Sequence, residues 1–128
     1  DNIDFRADIR KDSCIFLSET DMTSLFCNLL DNALEAARYI PDSFIELAIH
    51  QQPQTAFTII TLVNSCRNNP FSGTGKRLIT TKENKTLHGH GLKIIERVVN
   101  RYRGNMDYYY SEECHEFHMI IAMKDPRM

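Results

Sequence analysis

Three polar side chains in the first third of the sequence, Asn28, Asn32 and Glu35, stand at i, i+4 and i+7. A helix carrying them gathers them into one stripe. At about 100° per residue this stripe borders the apolar one, built from Met22, Leu25, Phe26, Leu29, Leu30, Ala33, Ala36, Ala37 and Ile40, instead of opposing it. Asparagine is a poor helix former, so two on one face need a reason. One reading is a solvated helix edge. The other is a carboxamide oxygen offered to a hard cation such as Mg²⁺, which takes few protein oxygens and completes its shell with phosphates and water. A second cluster, HGHGL at 88–92, opens a helical pattern. There Gly89 and Gly91 would let a phosphate approach the backbone, and free N–H groups at a helix start would receive it. Helix entry also uses glycine for plainer reasons. Lys76, Arg77, Lys82 and Lys85 precede the cluster; they suit either a triphosphate screen or a solvated loop tip.

Two apparent motifs fail on their own chemistry. GTGK at 73–76 hints at a Walker A loop, but Pro70 stands where its first glycine belongs and Arg77 replaces the Ser or Thr that holds Mg²⁺. His115-Glu116-Phe117-His118 is too short for H-E-x-x-H, and on a strand its histidines would face opposite sides.

The elements that must position these residues follow from periodicity. Short extended pieces are expected over Ile3 to Leu17, around a charged turn at Arg10-Lys11-Asp12. Ser18 stands three residues ahead of Asp21 as a cap. An amphipathic helix then runs from Met22 to Ile40, stopped by Pro41-Asp42. SFIELAIHQ, with Ile45, Leu47 and Ile49 alternating against Phe44, Glu46 and Ala48, and the β-branched AFTIITLVN read as strands joined at QPQT. Ser65 to Leu87 is polar, bears Gly and Pro, and lacks periodicity, which marks a functional loop or a disordered one. The second helix is expected over Leu92 to Tyr102, buried through Leu92, Ile95, Val98, Val99 and Tyr102, with Gly104 at C′. MDYYY and EFHMIIAM close the chain as strands around SEEC. The order predicts one layer of helices on one mixed sheet.

Bulk properties exclude more than they assign. At 128 residues, 42% hydrophobic and 25% charged, the chain suits one soluble domain with a real core. A net charge of -2 offers no broad basic surface for nucleic acid. Cys14, Cys27, Cys66 and Cys114 are scattered, without zinc spacing, and are expected to be free thiols in a reducing compartment. No apolar run is long enough to span a membrane. The opening DNIDFRADIRKD is too charged for a signal peptide, and the missing initiator methionine fits a fragment of something longer.

Taken together, NLLDNALEAA from Asn28 resembles the N box of the GHKL superfamily, which comprises histidine kinases, DNA gyrase, the 90-kDa heat-shock chaperone and mismatch-repair ATPases. HGHGL resembles its second glycine box, and the order of elements covers nearly the whole chain. Within the superfamily, NLLDNALEA, VNSC, TTK and HGxGL look most like the peptide-pheromone quorum-sensing kinases of the accessory-gene-regulator type. The resemblance implies an α+β fold, a two-layer α/β sandwich of Bergerat type with helices on one face of a mixed, mainly antiparallel sheet. It implies a single ATP-binding catalytic domain over 1–128 with a lid at about 65–87. The dimerisation, phosphoacceptor and sensor regions would lie outside it.

Site roles follow from the same resemblance. Asn32 falls on the asparagine that coordinates Mg²⁺. Asn28, the catalytic position, falls where hydrolysing members carry a glutamate that activates water; an amide cannot be that base. Gly89 and Gly91 fall on the phosphate glycines, with His88 and Leu92 beside them, and Lys82 belongs to the lid. Asn64 stands where the family has the aspartate of D-x-G-x-G that accepts the adenine amino group. A carboxamide oxygen still accepts that bond, without charge, but the glycines that follow are absent. Glu35 stands where many histidine kinases place a basic residue. The implied activity is that of a two-component protein-histidine kinase: ATP and Mg²⁺ as cofactors, and a γ-phosphoryl group passed to a histidine on a separate domain. Implied partners are the chain's own upstream dimerisation and phosphoacceptor helices and a response regulator. The full-length protein would be a homodimer and a membrane-anchored receptor, with this portion cytoplasmic. The alternatives are an anti-sigma-factor-type serine kinase of the same fold and a degenerate protein-binding module.

Overall fold

The structure, a computed structural model, describes residues 2–70 and 85–127, and of 85–90 the backbone alone. Among these residues five strands and two helices follow one another as β1 (Asp4–Ile9), α1 (Glu19–Ala37), β2 (Phe44–Gln51), β3 (Phe57–Ser65), α2 (Lys85–Arg101), β4 (Asn105–Ser111) and β5 (Glu116–Lys124). They form one sheet of order β1-β2-β3-β5-β4. β1 runs parallel to β2, and every other pairing is antiparallel. Both helices pack on the same face, so the expected two-layer α+β sandwich is what the chain forms. Most of the expected lid lies outside the described residues. Among those described, no helix is long and apolar enough to cross a membrane.

α1 starts where its cap residue stands. The Ser18 hydroxyl accepts the Asp21 N–H at 3.1 Å, and Glu19 and Asp21 put negative charge on the first turn. The helix ends at Ala37, three residues before the expected stop. Tyr39 takes a left-handed φ of 70°, and Pro41 already disfavours helical backbone at Ile40. Leu25, Leu29, Ala33 and Ala37 are buried against Ile45, Leu47, Ile60, Leu62, Met119 and Ile121 of the sheet. Met22, expected in the stripe, is exposed, and Asp21 takes the buried place.

Asp21 is buried because α2 supplies its partners. Its carboxylate accepts from the Tyr102 hydroxyl at 2.6 Å and from the Arg101 guanidinium. The Ser18 N–H donates back to Tyr102 Oη at 3.2 Å. The Tyr102 hydrogen bond, with Ser18 and Arg101, holds the Asp21 pKa below the usual carboxylate range against the opposing effect of burial.

α2 departs from expectation at both ends. It begins at Lys85, so Gly89 and Gly91 lie within helical backbone, not at its entrance. Each glycine costs about 1 kcal/mol there. The burial of Ile95, Val98 and Val99 offsets that, because helices in proteins are held mainly by packing. At the far end Arg103, not Gly104, takes the left-handed C′ conformation, with φ 52°. Gly104 N–H donates to Val99 O at 2.9 Å and Arg103 N–H to Asn100 O at 3.1 Å, a Schellman closure. Glycine is required at 104 for space: a Cβ there would lie 2.3 Å from Ala122 O and 2.9 Å from Val99 Cγ1.

Candidate nucleotide site

The middle of α1 presents Asn28 and Asn32 to α2. Asn28 Nδ2 donates to Ser24 O at 2.6 Å, tying the amide's donor end to its own helix and turning the oxygen outward. An added Cβ on Gly91 would stand 3.0 Å from Asn28 Oδ1 and 3.7 Å from Asn32 Oδ1. The two carboxamide oxygens therefore converge on a spot left open by one glycine. Two neutral oxygens side by side suit a hard cation that takes its remaining ligands from phosphate and water.

Asn32 also borders a cavity between α1, the sheet and the start of the described part of α2. Its walls include Leu29, Ala33, Leu92, Phe117 and Met119, with Cys66 and Pro70 also lining it. Asn64 is the polar group from the sheet. It is 1% exposed and lines the cavity, and its Nδ2 donates to Ser65 O at 2.9 Å. Oδ1 is the end left to accept from a ligand's amino group. An apolar slot with a few fixed polar groups is the usual form of a small-molecule site.

The wall after β3 is built without glycine. Ser65 Oγ accepts the Phe44 N–H at 3.0 Å, which turns that side chain away from the cavity. The buried Cys66 thiol donates to Asn68 O at 3.3 Å, and burial raises its pKa. The Tyr110 hydroxyl sits 3.1 Å from the carbonyl oxygens of Cys66 and Arg67 and from His115 Nδ1. These contacts pin the chain where it leaves the sheet.

Of the residues singled out in the sequence, Asn28, Asn32 and Gly91 meet at one spot, and Asn32, Asn64 and Leu92 line one cavity. Glu35 is half-buried further along α1 and is not among the cavity's lining residues. Gly89 and His88 lie on the helical backbone of α2, and Lys82 lies outside the described residues. Sequence reasoning missed the apolar walls. Phe117 and Met119 alternate on β5 as any core pair does, and only their register opposite Asn64 and Leu62 puts them in the site. Cys66 carried no signal beyond following Asn64 by two.

A family model described as the GHKL domain matches residues 17–122. No match was found among curated proteins. Solved structures similar to the chain include the catalytic domain of histidine kinase ThkA, with TM-score 0.69 and 19% identity over 96% of this chain and 78% of that one. The mycobacterial sensor histidine kinase MprB gives 0.62 and 16%, over 95% and 81%. The histidine kinase domain of the blue-light activated kinase from Erythrobacter litoralis gives 0.69 and 11%, over 98% and 52%. At these identities the likeness is one of fold.

Proposed function

We propose, for a chain that belongs to the GHKL domain family, that this domain binds ATP·Mg²⁺ and presents the γ-phosphoryl group to a histidine on a separate domain. One observation carries the reading: the carboxamide oxygens of Asn28 and Asn32 converge on the bare Cα of Gly91, and Asn32 also lines the cavity that Asn64 lines.

Each residue has a task within its reach. Asn64 Oδ1 accepts from the adenine amino group while Leu29, Ala33, Leu92, Phe117 and Met119 hold the base in apolar surroundings. Asn32, with Asn28 beside it, would hold the metal, and bound Mg²⁺ would neutralise charge on the phosphates. Gly91 leaves the space in which both oxygens can be used. Phosphoryl transfer needs positioning and charge neutralisation more than covalent help from the protein. Asn28 has no carboxylate with which to deprotonate water, which favours a phosphate donor over a hydrolase. The quorum-sensing branch, a response regulator, an upstream pair of phosphoacceptor helices, a homodimeric receptor and a cytoplasmic location belong to the same proposal. They are supported by the N-box and glycine-box residues and by the kinase-like fold.

The test is calorimetry of ATP binding with and without Mg²⁺, followed by labelling. The expected results are binding strengthened by Mg²⁺, ATP turnover barely above background, and label on histidine only when the domain is joined to its upstream helical segment. Label on serine of an added protein would favour the serine-kinase alternative. Rapid phosphate release with no protein label would overturn the transfer reading, and absence of any nucleotide binding would overturn the whole.

A further inference from the structure

We propose that β1 is a self-pairing edge, joining two copies of this domain by antiparallel β1–β1 contact into one continuous sheet. Among the described residues, β1 pairs with β2 on one side only and stands at the end of the strand order. The N–H groups of Asp4 and Arg10 donate inward, to Ser43 O at 3.0 Å and Ile49 O at 2.9 Å. Strand alternation therefore turns the N–H and C=O groups of Phe5, Ala7 and Ile9 outward, to the free edge. The same odd-numbered residues share the helix-side face with Ile45, Leu47 and Ile49. Yet Phe5 is 51% and Ile9 59% exposed, with no strand on the outer side among the described residues.

The sequence of this edge reads as its own antiparallel complement. With Ala7 opposite Ala7 of a second copy, Phe5 faces Ile9, Arg6 faces Asp8 and Asp4 faces Arg10. That register puts every outward-facing residue opposite another outward-facing one, so the pairs Phe5–Ile9 and Ala7–Ala7 exchange backbone hydrogen bonds. Slipping the register by two in either direction places Arg6 against Arg6 or Asp8 against Asp8, and like charges directly opposite are destabilising. The hydrogen-bonding register and the charge-matched register are therefore the same one. Exposed edges are ordinarily blunted by unpaired charge. Here the charges balance, and in the single copy they only reach along the strand, Arg6 to Asp4 at 2.9 Å and Arg10 to Asp8 at 3.5 Å. The opposite edge, β4, carries Asp107 alone as a charged residue and offers no such match. A two-fold contact of this kind is isologous and closes as a dimer.

The pairing does not rest on the nucleotide reading, and its test reads mass instead of binding. Sedimentation equilibrium of the 128-residue chain over a concentration series should show a reversible dimer. Arg6→Asp sets like charges opposite one another at both symmetry-related pairs and should weaken the dimer about tenfold. The double variant Arg6→Asp/Asp8→Arg restores opposite charges in the same register and should recover it. Ala7→Pro removes an outward N–H while leaving the bonds to β2 intact, and should give a folded monomer by circular dichroism. A chain that stays monomeric at its highest soluble concentration overturns the proposal. So does a dimer indifferent to Ala7→Pro, or one weakened by Arg6→Asp that the double variant fails to restore.

Discussion

Among the described residues, α1 and α2 meet at Asp21 and again at Asn28 and Asn32, and the two places end differently. At the start of α1, Asp21 meets the long side chains of Arg101 and Tyr102, which reach across and occupy both carboxylate oxygens. Two turns later, Asn28 and Asn32 meet Gly91, which has no side chain to answer them. The same pair of helices thus carries one polar contact that is closed and one that is open. The difference lies in the facing residue. Long donors turn a buried acid into a clamp, whereas a glycine leaves open space beside two amide oxygens.

The comparison is broken most sharply by filling the open contact. Gly91→Val should weaken ATP·Mg²⁺ binding by about 100-fold, the equivalent of about 3 kcal/mol, as read by calorimetry. The clash it makes is with the end of the Asn28 side chain, which can swing away, so the thermal midpoint should fall little. Emptying the closed contact should do the reverse. Asp21→Ala should cost about 2 kcal/mol in urea unfolding with ATP affinity nearly unchanged. The cost stays below that of a fully buried ion pair because the Arg101 side chain is 54% exposed.

A third prediction concerns acid. Asp21 and Asp125 both have their pKa held low in the folded chain, Asp21 foremost by Tyr102 and Asp125 foremost by Arg127. A depressed folded-state pKa gives stability that is fully present above the unfolded value of about 3.9. That stability is lost as pH falls through the folded-state values. Stability measured from pH 6 downward should therefore fall steeply below about pH 4, and Asp21→Asn should remove part of that slope. A slope identical in Asp21→Asn would refute the role given to the clamp.

The smallest change is Tyr102→Phe. It deletes one hydroxyl from the closed contact while keeping the edge-on ring packing against Phe16 at 5.5 Å. About 1 kcal/mol of stability should go, with ATP binding untouched.

How much of this was legible in the sequence depended on whether a residue's signal was local. Ser18 as a cap, the alternation of Ile45, Leu47 and Ile49, and the stripe from Leu25 to Ala37 are all local, and the structure has each of them. Asn28, Asn32 and Gly91 were legible as anomalies, polar or small where packing alone would not choose them. Asp21 was not, because its partners Arg101 and Tyr102 lie some eighty residues away. A buried acid looks like a surface one until its donors are known. The start of α2 was misread for a related reason. Glycines usually mark a helix boundary, but the core-facing Ile95, Val98 and Val99 carry helical backbone back through them. Gly104 was read as a turn former; its constraint is the Ala122 carbonyl, a neighbour no local pattern announces.

That seat at Gly104 gives α2 a graded mechanics. At its C-terminal end the neighbours of the glycine are Ala122 O, Val99 O and Val99 Cγ1, two of them backbone atoms. They leave no slack, and the adjoining Asp21–Arg101–Tyr102 contacts rivet the same end to α1. At Gly91 the nearest neighbour is the tip of an asparagine, which yields by a rotamer change. A side chain added at Gly104 would therefore meet fixed backbone, whereas one added at Gly91 would meet a group that can move aside.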